Sequence, residues 1–120
     1  AIAELGLAKA LFALSREEEG LVAARRALVK QQTYKEVRLL LAERYLLAMK
    51  PLPAAAELAR AVRGTPKDPE AATRLFDLAL THPEARGHAR MVLPLVRKVF
   101  GKVPADASLG YALARFEELP

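Results

Sequence analysis

Apolar residues recur along this chain at intervals of three and four, and no stretch sustains strict alternation. That period belongs to helices with one buried face. The Asn-Gly and Asp-Gly pairs that would turn a strand hairpin are absent. Punctuation residues divide the pattern into seven helices. The first covers 2–14. Ser15, followed by REEE, is the expected cap of a second that runs to about Lys30, with its acidic residues at the positive end of the helix dipole. A third covers about 35–49 and breaks at KPLP, 50–53, where two prolines cannot sit in a helix interior. A fourth is expected over about 53–63, stopping at Gly64 with Pro66 just beyond. Asp68-Pro69, a cap with a first-turn proline, opens a fifth that reaches about 81. Thr81-His82-Pro83 repeats the device for a sixth, which Gly101 ends and which Pro94 is expected to kink. Asp106 or Ser108 caps a seventh that runs to about Leu119.

The third helix is too apolar for a surface element. In LLLAERYLL, 39–47, only Glu43 and Arg44 interrupt six apolar residues and a tyrosine. One stripe about 100° wide does not need so many. A repeat accounts for the excess. Leu7, Leu41, Leu75 and Leu109 are each 34 residues apart. Ala8, Ala42, Phe76 and Gly110 follow them directly, and Leu11, Tyr45, Ala79 and Leu113 come three residues later. Arg26 and Ala27 of the second helix match Arg60 and Ala61 of the fourth.

A helix–turn–helix unit of 34 residues resembles the tetratricopeptide repeat. The second unit carries the resemblance best, through Leu41-Ala42, Tyr45, Ala54, Leu58, Ala61 and Pro66. Ala42 and Ala54 are small where the two helices would cross, and Tyr45 and Leu58 would fill the space beside them. The implied fold is all-α: a right-handed α-solenoid of about seven helices in a single domain, 1–120. Its units are 1–34, 35–68 and 69–102, followed by a capping helix at 103–120. Gln32 replaces the closing proline of the first unit. In the third unit, Phe76 and His88 fall where small residues are expected, and a slip of one residue to Ala89, Leu93 and Val96 restores the pattern. On the last helix, Leu109, Leu113 and Phe116 should pack, while Arg115, Glu117 and Glu118 face water.

Composition narrows the function. There is no cysteine, so disulfides and thiolate metal sites are excluded, and no apolar run reaches the ~18 residues of a membrane span. The chain starts without Met and lacks a basic leader, which reads as a processed chain or a piece of a longer protein. The Ala/Arg/Leu bias suits a bacterium, with the cytoplasm favoured over the periplasm. His82 and His88, six apart, share no helix face and have no zinc-motif carboxylate spacing. No nucleophile elbow or phosphate loop exists, so neither an enzyme nor a cofactor or metal site is expected. Net charge is +5, with basic residues gathered on the second helix of each unit (Arg25, Arg26, Lys30, Arg60, Arg63, Arg86, Arg90, Arg97, Lys98). No aromatics interleave with them to stack bases, so nucleic acid is not expected as a partner.

In the resemblance, first helices line a concave groove. The positions implied are Leu5, Lys9 and Phe12, then Glu36, Leu39, Glu43 and Leu46, then Glu70, Thr73, Arg74, Asp77 and Leu80. Many family members clamp the acidic tails of heat-shock chaperones. The clamp positions fall here on Leu5, Lys9, Leu40, Glu70 and Arg74, of which only Arg74 matches. The expected partner is instead a peptide or amphipathic helix with apolar anchors and basic flanks, which would make the chain a protein–protein interaction scaffold. The alternatives are self-association into a homo-oligomer within a larger complex and, further off, a helical-repeat RNA reader.

Overall fold

The computed structural model describes residues 2–31 and 34–120. Every regular element among them is helical. In order they are α1 (Ile2–Ala13), α2 (Glu17–Lys30), α3 (Lys35–Leu47), α4 (Pro51–Gly64), α5 (Pro69–Thr81), a 3-10 turn (Pro83–Ala85), α6 (Arg86–Phe100) and α7 (Ala107–Glu117). α1 packs on α2 and α3 on α4, while α5 packs on α4, α6 and α7. The molecule measures 40 × 26 × 21 Å. Gln32 lies outside the described residues.

The surplus apolar residues of α3 serve two cores. Val37 and Leu41 join Leu5, Ala8, Leu11, Phe12 and the alanines of α2 in an N-terminal cluster. Leu39 and Ala42 join a larger cluster built by α4, α5, α6 and α7. Tyr45 packs against both. One helix thus shows a buried face to each side, and burying each leucine stabilises by roughly 1.5–3 kcal/mol.

Two helix ends differ from expectation for reasons of backbone geometry. Ser15 is not the cap of α2: it takes a left-handed conformation, φ 60°, and Arg16 is the N-cap without a side-chain bond. Ser15 N–H donates to Phe12 O and Arg16 N–H to Leu11 O, the paired bonds that close a helix with a left-handed residue. The same closure recurs 34 residues later. Met49, φ 60°, donates to Leu46 O, and Lys50 donates to Tyr45 O. α4 then begins at Pro51 rather than at 53, because first-turn prolines give up no helical hydrogen bond. A side chain at φ 60° is strained where glycine is not. Met49→Gly is therefore expected to stabilise the chain by about 1 kcal/mol, read as a higher urea midpoint at unchanged m-value.

Asp68 caps α5 by accepting from Glu70 N–H, and Asp106, not Ser108, caps α7 by accepting from Leu109 N–H. After α5 the third unit departs from the first two. The 3-10 turn at Pro83–Ala85 intervenes, and α6 then buries Ala89, Val92 and Val96. Ala89 is buried and His88 only half-buried, and Val92 rather than Leu93 takes the next buried place. α6 continues through Pro94, which lies on its exposed side. Phe76 is fully buried and meets Phe116 of α7 edge-on, with ring centroids 5.0 Å apart. Leu109, Leu113 and Phe116 are buried, and Arg115, Glu117 and Glu118 are exposed.

Ion pairs tie consecutive hairpins together. Lys35 Nζ reaches Asp68 Oδ2 at 2.5 Å and Glu70 Oε1 at 3.0 Å. Lys35 holds the Asp68 carboxyl below its ordinary 3.8. The hydrogen bond from Lys30 holds Glu4 at about 2, against an ordinary 4.5. Carboxylates with lowered folded pKa values contribute stability above their unfolded pKa, and that stability is lost as pH falls through the folded value. Stability is therefore expected to drop between pH 4.5 and about 2. The Glu4→Gln, Asp68→Asn double variant should show a shallower acid limb in a pH series of thermal melts.

Candidate functional site

Three of the expected groove residues are not available to a ligand. Leu5 and Phe12 are buried in the N-terminal cluster and Leu39 in the larger one. Leu5 and Leu39, 34 apart, both fill the space between neighbouring hairpins, so this repeat position is internal. Phe12 is drawn down for a different reason. Gly20 of α2 lies under its ring, and a Cβ there would stand 2.5 Å from the ring edge. The Arg44 guanidinium lies over the ring, 4.8 Å from its centroid. At the positions 34 residues on stand Leu46 and Ala54, and Leu46 is 39% exposed.

What remains open is a cleft of about 480 Å³ between α3 and α5, with α4 as its floor. Ala42, Leu46, Leu58 and Leu78 supply apolar surface. Glu43 and Asp77 carry carboxylates, and Arg74, Thr81 and His82 complete the lining. The structure thus brings together Glu43, Leu46, Arg74 and Asp77 from the expected set. Thr81 and His82 were not expected there. They enter because α5 ends at the cleft, where Thr81 Oγ1 lies 2.8 Å from His82 Nδ1.

The charges are unevenly compensated. Arg74 is paired with Glu70 at 3.1 Å, and Glu70 is shared with Lys35. Among the described residues, neither Glu43 nor Asp77 has an ion-pair partner. Partial desolvation pushes the Asp77 carboxyl above its ordinary 3.8. The other expected residues lie outside the cleft. Lys9 and Glu36 are exposed, and Glu36 lines a separate hollow beside Tyr34, Thr65 and Asp68. Thr73 turns its hydroxyl back to Pro69 O at 2.8 Å, and Leu80 packs against the larger core.

A buried polar centre was not legible in the sequence. Glu57 of α4 is 1% exposed. Its Oε2 accepts from Arg25 Nη1 of α2 at 2.9 Å, and its Oε1 accepts from Arg38 Nη1 of α3 at 2.8 Å and from Arg60 Nη1 at 3.3 Å. Arg25 Nη2 also donates to the Tyr45 hydroxyl at 2.6 Å. Arg25 and Arg60 are therefore not simply solvated basic residues: both bind this carboxylate, through which Arg25 of α2 and Arg38 of α3 are braced on α4.

Among the described residues, no helix is long and apolar enough to cross a membrane, and no group of three His, Cys, Asp or Glu side chains could hold a metal ion. Comparison of the chain with known protein families, with curated proteins and with solved structures finds no match.

Proposed function

We propose that this chain is a tetratricopeptide-like solenoid of three helical hairpins and a capping helix. Its α3–α5 cleft binds a segment of another protein. The observation that carries the reading is the pair of uncompensated carboxylates, Glu43 and Asp77, set over an apolar floor. Both side chains are exposed at the cleft, and the Asp77 carboxyl is partly desolvated, which disfavours its charged form. A ligand lysine or arginine beside it relieves that cost, while an apolar side chain fills the space over Leu46 and Leu58. The bound segment is therefore an amphipathic helix or extended peptide with leucine-like anchors and basic flanks. The period of 34 supports the solenoid, as does the closure repeated at Ser15 and Met49.

Synthetic amphipathic peptides with leucine anchors and lysine flanks provide the test, with binding read by fluorescence anisotropy. Leu46→Glu and Asp77→Lys are each expected to weaken binding by at least about tenfold, the equivalent of 1.4 kcal/mol. Asp77→Asn should weaken binding yet raise the melting temperature at neutral pH, because the raised folded pKa makes the ionised form unfavourable to the fold. Unchanged binding in both charge variants, or equal binding of acid-flanked peptides, would refute the assignment of the cleft.

A further inference from the structure

The α3–α5 cleft calls for cations around an aliphatic anchor, and the chain presents both at another place. Its net charge is concentrated there. Residues 86–105 contain Arg86, Arg90, Arg97, Lys98 and Lys102 and no carboxylate, which equals the whole net charge of +5. Of the 19 basic side chains, the other 14 match the 14 acidic ones. Two of the five are used internally: Arg86 donates to Ala79 O at 2.9 Å, and Arg97 pairs with Glu117 at 2.5 Å. Arg90, Lys98 and Lys102 have no ion-pair partner among the described residues.

An exposed anchor stands beside these free cations. Among the described residues, the large apolar side chains most open to water are Ile2, Val29, Met49 and Val103, the last at 90%. Three of them adjoin charges that are already matched. Ile2 and Val29 lie close in sequence to Glu4 and Lys30, which pair with each other. Met49 precedes Lys50, which lines a hollow with Glu17 and Glu18. Val103 follows Lys102 in the loop between α6 and α7, and the carboxylates around that loop are occupied: Asp106 caps α7 and Glu117 holds Arg97. The loop is pinned at its base. Gly101 turns it with φ 77°, and Pro104 is buried, its carbonyl oxygen 3.7 Å from where a Cβ would stand on Gly110 of α7. Docking a side chain held in this way costs little further ordering.

We infer that a second copy of this chain supplies an occupant of the cleft: its α6–α7 loop, with Val103 over the apolar floor of Leu46 and Leu58, and Lys98 and Lys102 facing Glu43 and Asp77. The inference rests on the reading of the cleft as a binding site. Arg74, the cation of the cleft, does not oppose the loop, because it is paired with Glu70. Nor can the loop fill the cleft of its own chain: α6 starts close to where α5 ends at the cleft and carries the chain away over about 22 Å. The contact is heterologous, a loop on one copy meeting a cleft on the next, so copies join head to tail.

Sedimentation of the whole chain over roughly 0.01–1 mM tests this, a range that detects even weak association. The average mass is expected to rise with concentration. Val103→Asp, which alters only an exposed side chain, and Asp77→Lys should each weaken the association by at least about tenfold. An equimolar mixture of the two variants should form a pair and stop there, since one keeps an intact cleft and the other an intact loop. Peptides with leucine anchors and lysine flanks should dissociate the wild-type assembly, and Val103→Asp should still bind them. A chain that binds those peptides yet stays monomeric throughout overturns the inference and leaves the cleft reading intact, with a foreign segment as the occupant. A monomer that binds no such peptide overturns both. Association that survives either variant, or that the peptides leave untouched, would place the contact elsewhere and overturn the inference as well.

Discussion

Glu57→Ala is expected to destabilise the chain by about 3–5 kcal/mol, because it removes the one carboxylate that three guanidiniums share. The geometry decides where in that range the loss falls. Arg25 and Arg60 have side chains 47% and 53% exposed, so both can turn to water when Glu57 is lost. Arg38 is 12% exposed and is held among packed helices. Its lost hydrogen bond to the carboxylate, 2.8 Å long and largely shielded from water, carries most of the penalty. Glu57→Ala and Arg38→Leu should be strongly coupled, with the double variant losing less than the sum of the two single losses, because each removes the same contact. Urea denaturation of the four-member cycle measures this. A Glu57→Ala loss below about 1 kcal/mol would place the network in the class of exposed ion pairs and remove it as a brace.

Phe76→Ala is expected to cost a further large amount, about 3–5 kcal/mol, from lost burial and the cavity left behind. Phe76 has no exposed surface, and its ring edge meets Phe116. Two consequences separate this from a generic core deletion. First, the contact with Phe116 contributes about 0.5–1.5 kcal/mol beyond area, which the double-mutant cycle with Phe116→Ala should return as a coupling energy. Second, α7 packs on α5, so its amides should exchange faster in the variant than those of α1 and α2, whose core is separate. Equal acceleration in α1 and α7 would mean that the two cores unfold as one unit.

Much of the helix list was legible because its signals are local. Asp68-Pro69 specifies a cap and a first turn within two residues, and Gly101, φ 77°, ends α6 where a glycine is expected to. The errors fall where the deciding contact comes from elsewhere. Ser15 looks like a cap, but its own N–H donates to Phe12 O and that of Arg16 to Leu11 O, so it closes α1 in a left-handed conformation instead. Phe12 looks like a groove residue until Gly20 and Arg44 are seen packed against it. Glu57 sits in a helix with two exposed arginines and gives no local sign of burial. Its partners Arg25 and Arg38 lie 32 and 19 residues away.

The stretch LLLAERYLL shows where sequence alone stops. The spacing of apolar residues required α3 to be a helix with more than one buried face, because hydrophobic period and helix geometry are both local. It also put Leu41 and Ala42 in the repeat signature. Which leucine served which face was decided only when hairpins packed on both sides. Leu41 went to the N-terminal core and Leu39 to the larger one, and only Leu46 among the expected groove leucines of this helix kept a share of solvent. The cleft beside it exists for the same reason. Its carboxylates, Glu43 and Asp77, are 34 residues apart and meet because α4 and α5 bring two units together. The period implied equivalent positions for these two side chains, but their nearness and their lack of counter-ions are properties of the packed chain.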